Sequence, residues 1–237
     1  AYKDAFAKVN YLSEFKPSKE AATALEPDMI LSWTSLFSDK NLGSMKEWQS
    51  QGVNSYNMLN SGAVSPKTLD NEYQDFENLG KIFDVEDKAG ELVNAIKDAV
   101  KQTETYAQKE NKSPKVLVME DQSGQIVNYG ATTLAGDMVT KLKGTLASPD
   151  ASKLGEEDVV AANPEVIFAV YMDRDDQDMA AQTKDAIMNN AAFADIDGVK
   201  NNRVIPIELG QMYCSGVRTI DGIHTIANGM YPDLNLN

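Results

Sequence analysis

Two glutamates, Glu20 and Glu157, each begin a similar segment of the sequence and are the first candidates for chemistry. The segments read Glu-Ala-Ala-Thr-Ala-Leu-Glu-Pro-Asp-Met-Ile and Glu-Asp-Val-Val-Ala-Ala-Asn-Pro-Glu-Val-Ile. Two carboxylates that met on one substrate could serve as general acid and general base. For each glutamate alone the better explanation is the positive end of a helix dipole. The symmetry of the copies also suits two docking points for a partner with two basic sockets.

Aromatic and basic residues follow several predicted strands, at the places where parallel α/β sheets collect ligands. Rings and guanidinium groups together suit a large ligand with aromatic or anionic parts. For any one of these residues, packing or plain solvation is an equally good explanation. The predicted ligand contacts are Trp33, Phe37, Tyr129, Tyr171, Arg174, Tyr213 and Arg218.

The residue sets of several common chemistries are missing from the sequence. His224 is the only histidine and Cys214 the only cysteine, so a histidine-based triad and a zinc or iron–sulfur site are excluded by count. No glycine-rich nucleotide loop is present. The aspartates between Asp173 and Asp178 lack the glycine and closing glutamate of an EF-hand and are interpreted as a solvated acidic loop. We expect no catalytic residue, no resident cofactor and no protein-bound metal.

The charge of the chain excludes one class of partner. There are 36 acidic and 22 basic side chains, for a net charge of −14. A surface of this sign repels phosphate, so nucleic acid is not expected as a partner. No apolar run approaches the roughly 20 residues that span a bilayer, and the first residues lack the pattern of a signal peptide.

The first half of the sequence alternates helical and strand patterns, which predicts a parallel sheet. Strands are predicted at 29–33 and 53–59, with a helix at 43–51 between them. A further helix is predicted from 65 to Gly80, where the glycine would form a left-handed stop.

A long periodic segment follows, with apolar residues at three- and four-residue steps from Ala89 to Ala107. It predicts one helix over 85–110, about 35–40 Å long at 1.5 Å per residue. Such a helix is long enough to cross from one lobe to another. We therefore predict an N-terminal α/β lobe at 1–83, a connecting helix at 84–112 and a C-terminal α/β lobe at 113–237.

The C-terminal lobe is predicted to contain three strands joined by helical crossovers, with Tyr129 in a loop. The strands are expected at 115–120, 166–171 and 203–209. The helices are expected from 132 to 144, after Glu157, from 179 to 190, and from 219 to just before 232.

Four segments in this order resemble one family: 17–30, 155–167, 199–204 and 222–232. None is a catalytic signature, but together with the long helix they resemble the helical-backbone (class III) substrate-binding proteins of ABC importers for iron–siderophores, haem and cobalamin. The resemblance extends through essentially the whole chain. It implies two Rossmann-like lobes with parallel sheets joined by a single long α-helix. Family members begin with another strand–helix unit, so the N-terminal lobe is expected to be incomplete here.

The resemblance also implies a function. The chain would capture a ferric siderophore or similar chelate, carrying iron or cobalt, in the cleft between lobes. Glu20 and Glu157 would dock on the two halves of a membrane permease. The protein would act outside the cytoplasm as a monomer, with a lipid anchor upstream of this chain as its only tie to the membrane.

Three alternatives stay open on the sequence alone. A corrinoid or haem is the second choice of ligand, favoured if the aromatic residues form flat walls. A two-lobed enzyme of chelatase or nitrogenase-like architecture requires Glu20 and Glu157 to face the cleft. A regulatory or adhesion module without a ligand would bind no chelate at all.

Overall fold

The computed structural model describes residues 3–12, 16–122, 124–173, 177–213 and 216–236. Contacts between Cα atoms divide the chain into two compact units, unit 1 (Ala1–Ala63) and unit 2 (Val64–Asn237). Each unit has its own buried apolar cluster, so each is described by itself.

Unit 1 alternates short helices with two parallel strands. Its elements are α1 (Lys3–Phe6), α2 (Lys19–Thr23), β1 (Met29–Ser32), α3 (Met45–Ser50), β2 (Asn54–Asn57) and a 3-10 turn at Leu59–Ser61. β1 pairs with β2 in parallel, as the alternating pattern predicts. The unit is centred on Trp48 of α3, which is buried and donates from Nε1 to the Leu42 carbonyl at 2.7 Å.

Unit 2 is a mixed sheet with helices on both faces. Its elements are α4 (Leu69–Phe83), α5 (Glu86–Glu110), β3 (Lys115–Gln122), β4 (Gln125–Asn128), α6 (Leu134–Lys141), β5 (Thr145–Leu146), β6 (Lys153–Leu154), α7 (Glu156–Ala162), β7 (Val166–Tyr171), α8 (Met179–Met188), a 3-10 turn at Ala191–Phe193, α9 (Asp197–Lys200), β8 (Val204–Glu208), α10 (Leu209–Met212) and α11 (Thr219–Met230).

Six strands form the sheet within the described part of unit 2, in the order β6-β4-β3-β7-β8 with β5 also beside β3. The predicted strands β3, β7 and β8 form its parallel centre. The three predicted strands and the loop position of Tyr129 are confirmed, but the total of three strands is wrong. The chain turns back after β3 and adds β4 antiparallel to it, so that Tyr129 immediately follows a strand.

The central strands are apolar on both faces because both faces are covered. Val116 and Val118 of β3 point to one apolar cluster, whereas Leu117 and Met119 point to the other. Successive side chains of a strand alternate between faces, so an unbroken apolar run is the expected signature of a doubly covered strand.

Gly80 does not end α4, and that prediction is wrong. The glycine is buried inside the helix, where a Cβ would lie 2.8 Å from Ala89 Cβ and 3.2 Å from Glu86 Cα. Its missing side chain therefore allows α5 to pack closely against α4. α4 ends at Phe83, and Asp84 takes the left-handed conformation (φ 54°) that was expected of Gly80.

The long helix is present as predicted. α5 has 25 residues, which corresponds to about 37 Å at 1.5 Å per residue. It contacts α4 and α11, so the contact boundary falls before α4, between residues 63 and 64. The expected lobe boundaries at 83 and 112 stay a prediction. The expected fold class is confirmed: α/β, with parallel strands on both sides of a long helix in the chain.

No helix in the described ranges is both long enough and apolar enough to cross a membrane.

Candidate functional site

The carboxyl ends of β3, β7 and β8 lie at one edge of the unit 2 sheet, because these strands run in parallel. Glu120 lies near the end of β3, Tyr171 ends β7 and Glu208 ends β8. Tyr171 and Glu208 are direct partners in the strand register. We call this the carboxyl edge of unit 2.

Two tyrosines meet at the carboxyl edge in a charged setting. The rings of Tyr129 and Tyr213 are 6.2 Å apart between centroids and nearly perpendicular, at 81°. The Tyr129 hydroxyl donates to Glu120 Oε2 at 2.6 Å. On the other ring, Lys67 Nζ lies 4.5 Å from the Tyr213 centroid, within the range of a cation–π contact. One acid and one base therefore flank a pair of rings.

A second acid–base pair lies beside Tyr171. Arg218 Nη1 donates to both carboxylate oxygens of Glu208, at 2.9 and 2.7 Å. Glu208 is also bound to the Gly210 amide at 3.2 Å, so the backbone holds it in place. Burial raises the pKa of Tyr171, and the nearby carboxylates of Glu208 and Asp173 raise it further. The Tyr171 hydroxyl therefore stays protonated and can donate a hydrogen bond over the physiological range.

Among its described residues, this edge has no reactive group in a catalytic arrangement. It offers aromatic faces, tyrosine hydroxyls and two cations. Lys67 already contacts the Tyr213 ring, and Arg218 is already paired with Glu208. In the ranges that the structure describes, no three His, Cys, Asp or Glu side chains converge where a metal ion could be held.

A cavity at the opposite edge of the sheet is a weaker candidate. It measures about 410 Å³ and its lining includes Glu165 and Arg203, which precede β7 and β8. Both have structural partners: Glu165 accepts from the Lys115 amide at 2.6 Å, and Arg203 Nη2 donates to the Gly229 and Met230 carbonyls at the end of α11.

The predicted contacts differ in where the structure places them. Tyr129, Tyr171, Tyr213 and Arg218 are brought together at the carboxyl edge, although Tyr129 is only 6% exposed and is largely a core residue. Trp33 and Phe37 belong to unit 1. Trp33 is 38% exposed, whereas Phe37 is half-buried and packs against the cluster around Trp48. Arg174 lies outside the described residues, as does Cys214.

Three residues of this edge escaped the sequence analysis: Lys67, Glu120 and Glu208. Glu120 and Glu208 lie at or near the ends of correctly predicted strands, so the strand-end rule could have found both. Lys67 precedes the N-cap of α4 and has no local signal. It reaches Tyr213 only because residues far apart in sequence pack together.

The two repeated segments fold alike, one in each unit. α2 and α7 each carry their glutamate, Glu20 or Glu157, in the first turn. Each helix is followed by a residue with a left-handed backbone directly before a proline, Glu26 (φ 47°) and Asn163 (φ 40°). A parallel strand then begins, β1 or β7. The repeat in the sequence is therefore a repeat in backbone structure.

Both repeated glutamates are exposed. In α7 the two acids beside Glu157 accept hydrogen bonds. Glu156 accepts from Asn190 Nδ2 and Asp158 accepts from the Gly155 amide, each at 2.8 Å. No residue in the described ranges bonds to the Glu157 carboxylate. The pKa of Glu20 is lowered by hydrogen bonds from its own backbone amide and the Ser18 hydroxyl, so Glu20 is charged at neutral pH.

Comparisons with known proteins agree with one another. A family model described as periplasmic binding protein matches residues 1–208. A solved structure described as a periplasmic binding protein from Veillonella parvula DSM 2008 is 30% identical, with a TM-score of 0.90 over 98% of this chain and 73% of that chain.

Two relatives come from Bacillus subtilis (strain 168). The ABC transporter substrate-binding lipoprotein YvrC, described as uncharacterized, is 24% identical over 95% of this chain and 69% of its own length. The petrobactin-binding protein YclQ is 26% identical over 90% of this chain and 64% of its own length. The chain thus spans about two thirds of each relative.

Proposed function

This chain belongs to the periplasmic binding protein family, and we propose that it is the extracytoplasmic substrate-binding component of an ABC importer. The family resemblance inferred from the sequence is confirmed by the match over residues 1–208. In this proposal the chain captures a ferric siderophore or similar iron chelate without covalent chemistry and delivers it to a permease. The observation that carries the proposal is the cluster of tyrosines and charged residues at the carboxyl edge of unit 2.

The chemistry of the carboxyl edge supports a chelate as the ligand. Rings and tyrosine hydroxyls suit the aromatic or aliphatic parts and the oxygen atoms of a chelator, and Arg218 suits an anionic group. The name of the relative YclQ, petrobactin-binding protein, supports a siderophore as the class of ligand. Trp33, Phe37 and Arg174 remain proposed contacts.

The alternatives are less well supported. Tyr129 is buried and edge-on to Tyr213, so this pair does not supply the flat wall that would favour haem or a corrinoid. Because family members are binding proteins, the enzymatic alternative is not proposed. Haem and cobalamin serve as comparison ligands in the binding test.

The binding test is a titration of the purified chain with ferric petrobactin, an uncharged ferric trihydroxamate, haem and cobalamin. Calorimetry measures the affinity, and tryptophan fluorescence tests the contact at Trp33, because the other tryptophan, Trp48, is 1% exposed. We expect a ferric chelate to bind with a Kd of roughly 1 μM or tighter. Trp33→Phe should remove most of the quenching. Tight binding of haem or cobalamin alone would replace the proposed ligand, and failure of all four to bind would contradict the proposal.

The proposal gives Glu20 and Glu157 the role of docking on the permease. Each is an exposed carboxylate in the first turn of a helix, and the two stand at equivalent positions of a structural repeat. Equivalent acids, one per unit, match a partner with two equivalent basic sockets.

An uptake assay, compared with the affinity for the chelate, distinguishes a loss of docking on the permease from a loss of ligand binding. In cells with the cognate permease, the Glu20→Ala, Glu157→Ala double variant should lose uptake. Its chelate affinity should change by less than about twofold, because exposed substitutions away from a site have small effects. The control is Glu86→Ala with Glu91→Ala, which removes the same charge from exposed positions of α5. Normal uptake by the first double variant would refute the docking role.

A further inference from the structure

The pair of Glu208 and Arg218 is built into the carboxyl edge rather than formed by chance on the surface. Glu208 is only 19% exposed in its side chain and is held by Arg218 and by the Gly210 amide. Arg218 is 54% exposed and contributes only Nη1 to the pair. Its Nε and Nη2 have no partner among the residues described, so it can still donate to a ligand.

Gly210 makes room for this arrangement. A Cβ at position 210 would overlap Nη2 and Cζ of Arg218 and would lie 2.8 Å from Nη1. The guanidinium group therefore lies directly on the backbone of α10. Any larger residue would displace it from Glu208, so the geometry of the pair depends on a glycine at this position.

The pair brings no net charge to the edge on which it lies. Arg218 was predicted to receive an anionic group of the ligand, yet its charge is already matched by Glu208. The neighbouring Asp173 and Asp178 are acidic, and their carboxylates contribute to the raised pKa of Tyr171. Among the described residues of this edge, a strongly anionic ligand would meet two cations, Arg218 paired with Glu208 and Lys67 against the Tyr213 ring, and the further acids Glu120, Asp173 and Asp178.

We propose that Glu208 is a specificity-determining residue that neutralises Arg218, so that the carboxyl edge favours uncharged or weakly anionic ferric chelates over strongly anionic ones. This inference rests on the proposed function. Arg218 then acts as a hydrogen-bond donor more than as a charge. The Glu208 carboxylate sets the charge that the ligand must carry.

The test measures the ratio of affinities for two probes, an uncharged ferric trihydroxamate and a strongly anionic ferric tris-catecholate, by calorimetry. Glu208→Gln keeps the size and an acceptor for the Gly210 amide but removes the charge. It should shift the ratio toward the anionic chelate by roughly three- to tenfold, a range reduced for the exposure of Arg218. Arg218→Gln should shift the ratio the other way. The Glu208→Gln, Arg218→Gln double variant restores neutrality and should return the ratio near to that of the wild type.

The control Glu91→Gln makes the same change of charge on the exposed face of α5 and should leave the ratio unchanged. Circular dichroism establishes that each variant is folded. If Glu208 only caps α10, Glu208→Gln will leave the ratio at the wild-type value, and the inference is overturned. If the wild type binds neither probe and none of the other chelates, the proposed function itself fails. The two failures are therefore distinguishable.

Discussion

Replacing Asn163 with alanine is expected to destabilise unit 2 by about 3 kcal/mol. Asn163 Nδ2 donates to Asp197 Oδ2 and its Oδ1 accepts from the Asp197 amide, both at 2.9 Å. These two bonds tie the end of α7 to the start of α9. At about 1 kcal/mol each, their loss accounts for about 2 kcal/mol. The left-handed backbone of Asn163 (φ 40°) adds about 1 kcal/mol, since alanine tolerates it less well than asparagine.

Two matched variants separate these contributions. Asn163→Gly removes the same two hydrogen bonds but accepts the left-handed backbone, so the expected loss is about 2 kcal/mol. Glu26→Ala tests the equivalent position of the repeat, where the backbone is also left-handed (φ 47°). The Glu26 side chain bonds to no described residue. That variant should change stability by less than about 0.5 kcal/mol.

The assay is urea unfolding followed by two signals. Both tryptophans, Trp33 and Trp48, lie in unit 1, so fluorescence reports on that unit. Far-UV circular dichroism is dominated by unit 2, which contains the long helices α4, α5 and α11. Asn163→Ala should lower the midpoint of the dichroism transition. Equal effects of Asn163→Ala and Glu26→Ala would refute the reasoning, because they would show that the bonds to Asp197 contribute nothing measurable.

Two further predictions concern unit 2. Gly90→Ala should stabilise it by up to about 1 kcal/mol through helix propensity, because a Cβ there meets nothing within 4 Å. Gly80→Ala should instead destabilise it by about 1 kcal/mol in the same urea assay, since overpacking against Ala89 outweighs that gain; equal stabilisation by both would contradict the packing role of Gly80. Burial raises the pKa of Tyr231 from the ordinary 10.0 of a tyrosine to about 12. The folded state therefore keeps this proton when the unfolded state loses it, and stability should fall between about pH 10 and 12 by about 1.4 kcal/mol per pH unit. Tyr231→Phe should reduce that slope at alkaline pH, although it also removes the 3.0 Å bond to the Leu142 carbonyl; an unchanged slope would contradict the assignment.

Elements with a strong local pattern were predictable from the sequence. The strand at 166–171 and the helix over 85–110 match the structure to within a residue. β4 was missed because it has only four residues, and because it pairs antiparallel with β3 in a region where the pattern indicated crossovers. Gly80 was misinterpreted because a glycine that ends a helix and one that admits a neighbouring helix look the same in a sequence.

The candidate site was only partly predictable. The strand-end rule located Tyr171, Tyr213 and Arg218, which the structure places at one edge of the sheet. It could not show that Tyr129 would be buried, or that Arg218 would already be bound to Glu208. Those facts depend on the register between β7 and β8 and on the return of the chain after α10. Neither the register nor the return of the chain can be predicted from local sequence.

The sequence by itself determined the repeat and the longest helices and strands, and the resemblance of four segments identified the family. The helices and strands of the repeat follow from short-range physics: apolar periodicity, helix dipoles, and the restriction that proline places on the residue before it. Only the tertiary structure decided which charges meet. The electrostatics of the carboxyl edge are set within a few ångströms, between side chains that belong to different elements. For that reason the two repeated glutamates were visible in the sequence as docking candidates, whereas the pairing of Arg218 with Glu208 at the carboxyl edge was not.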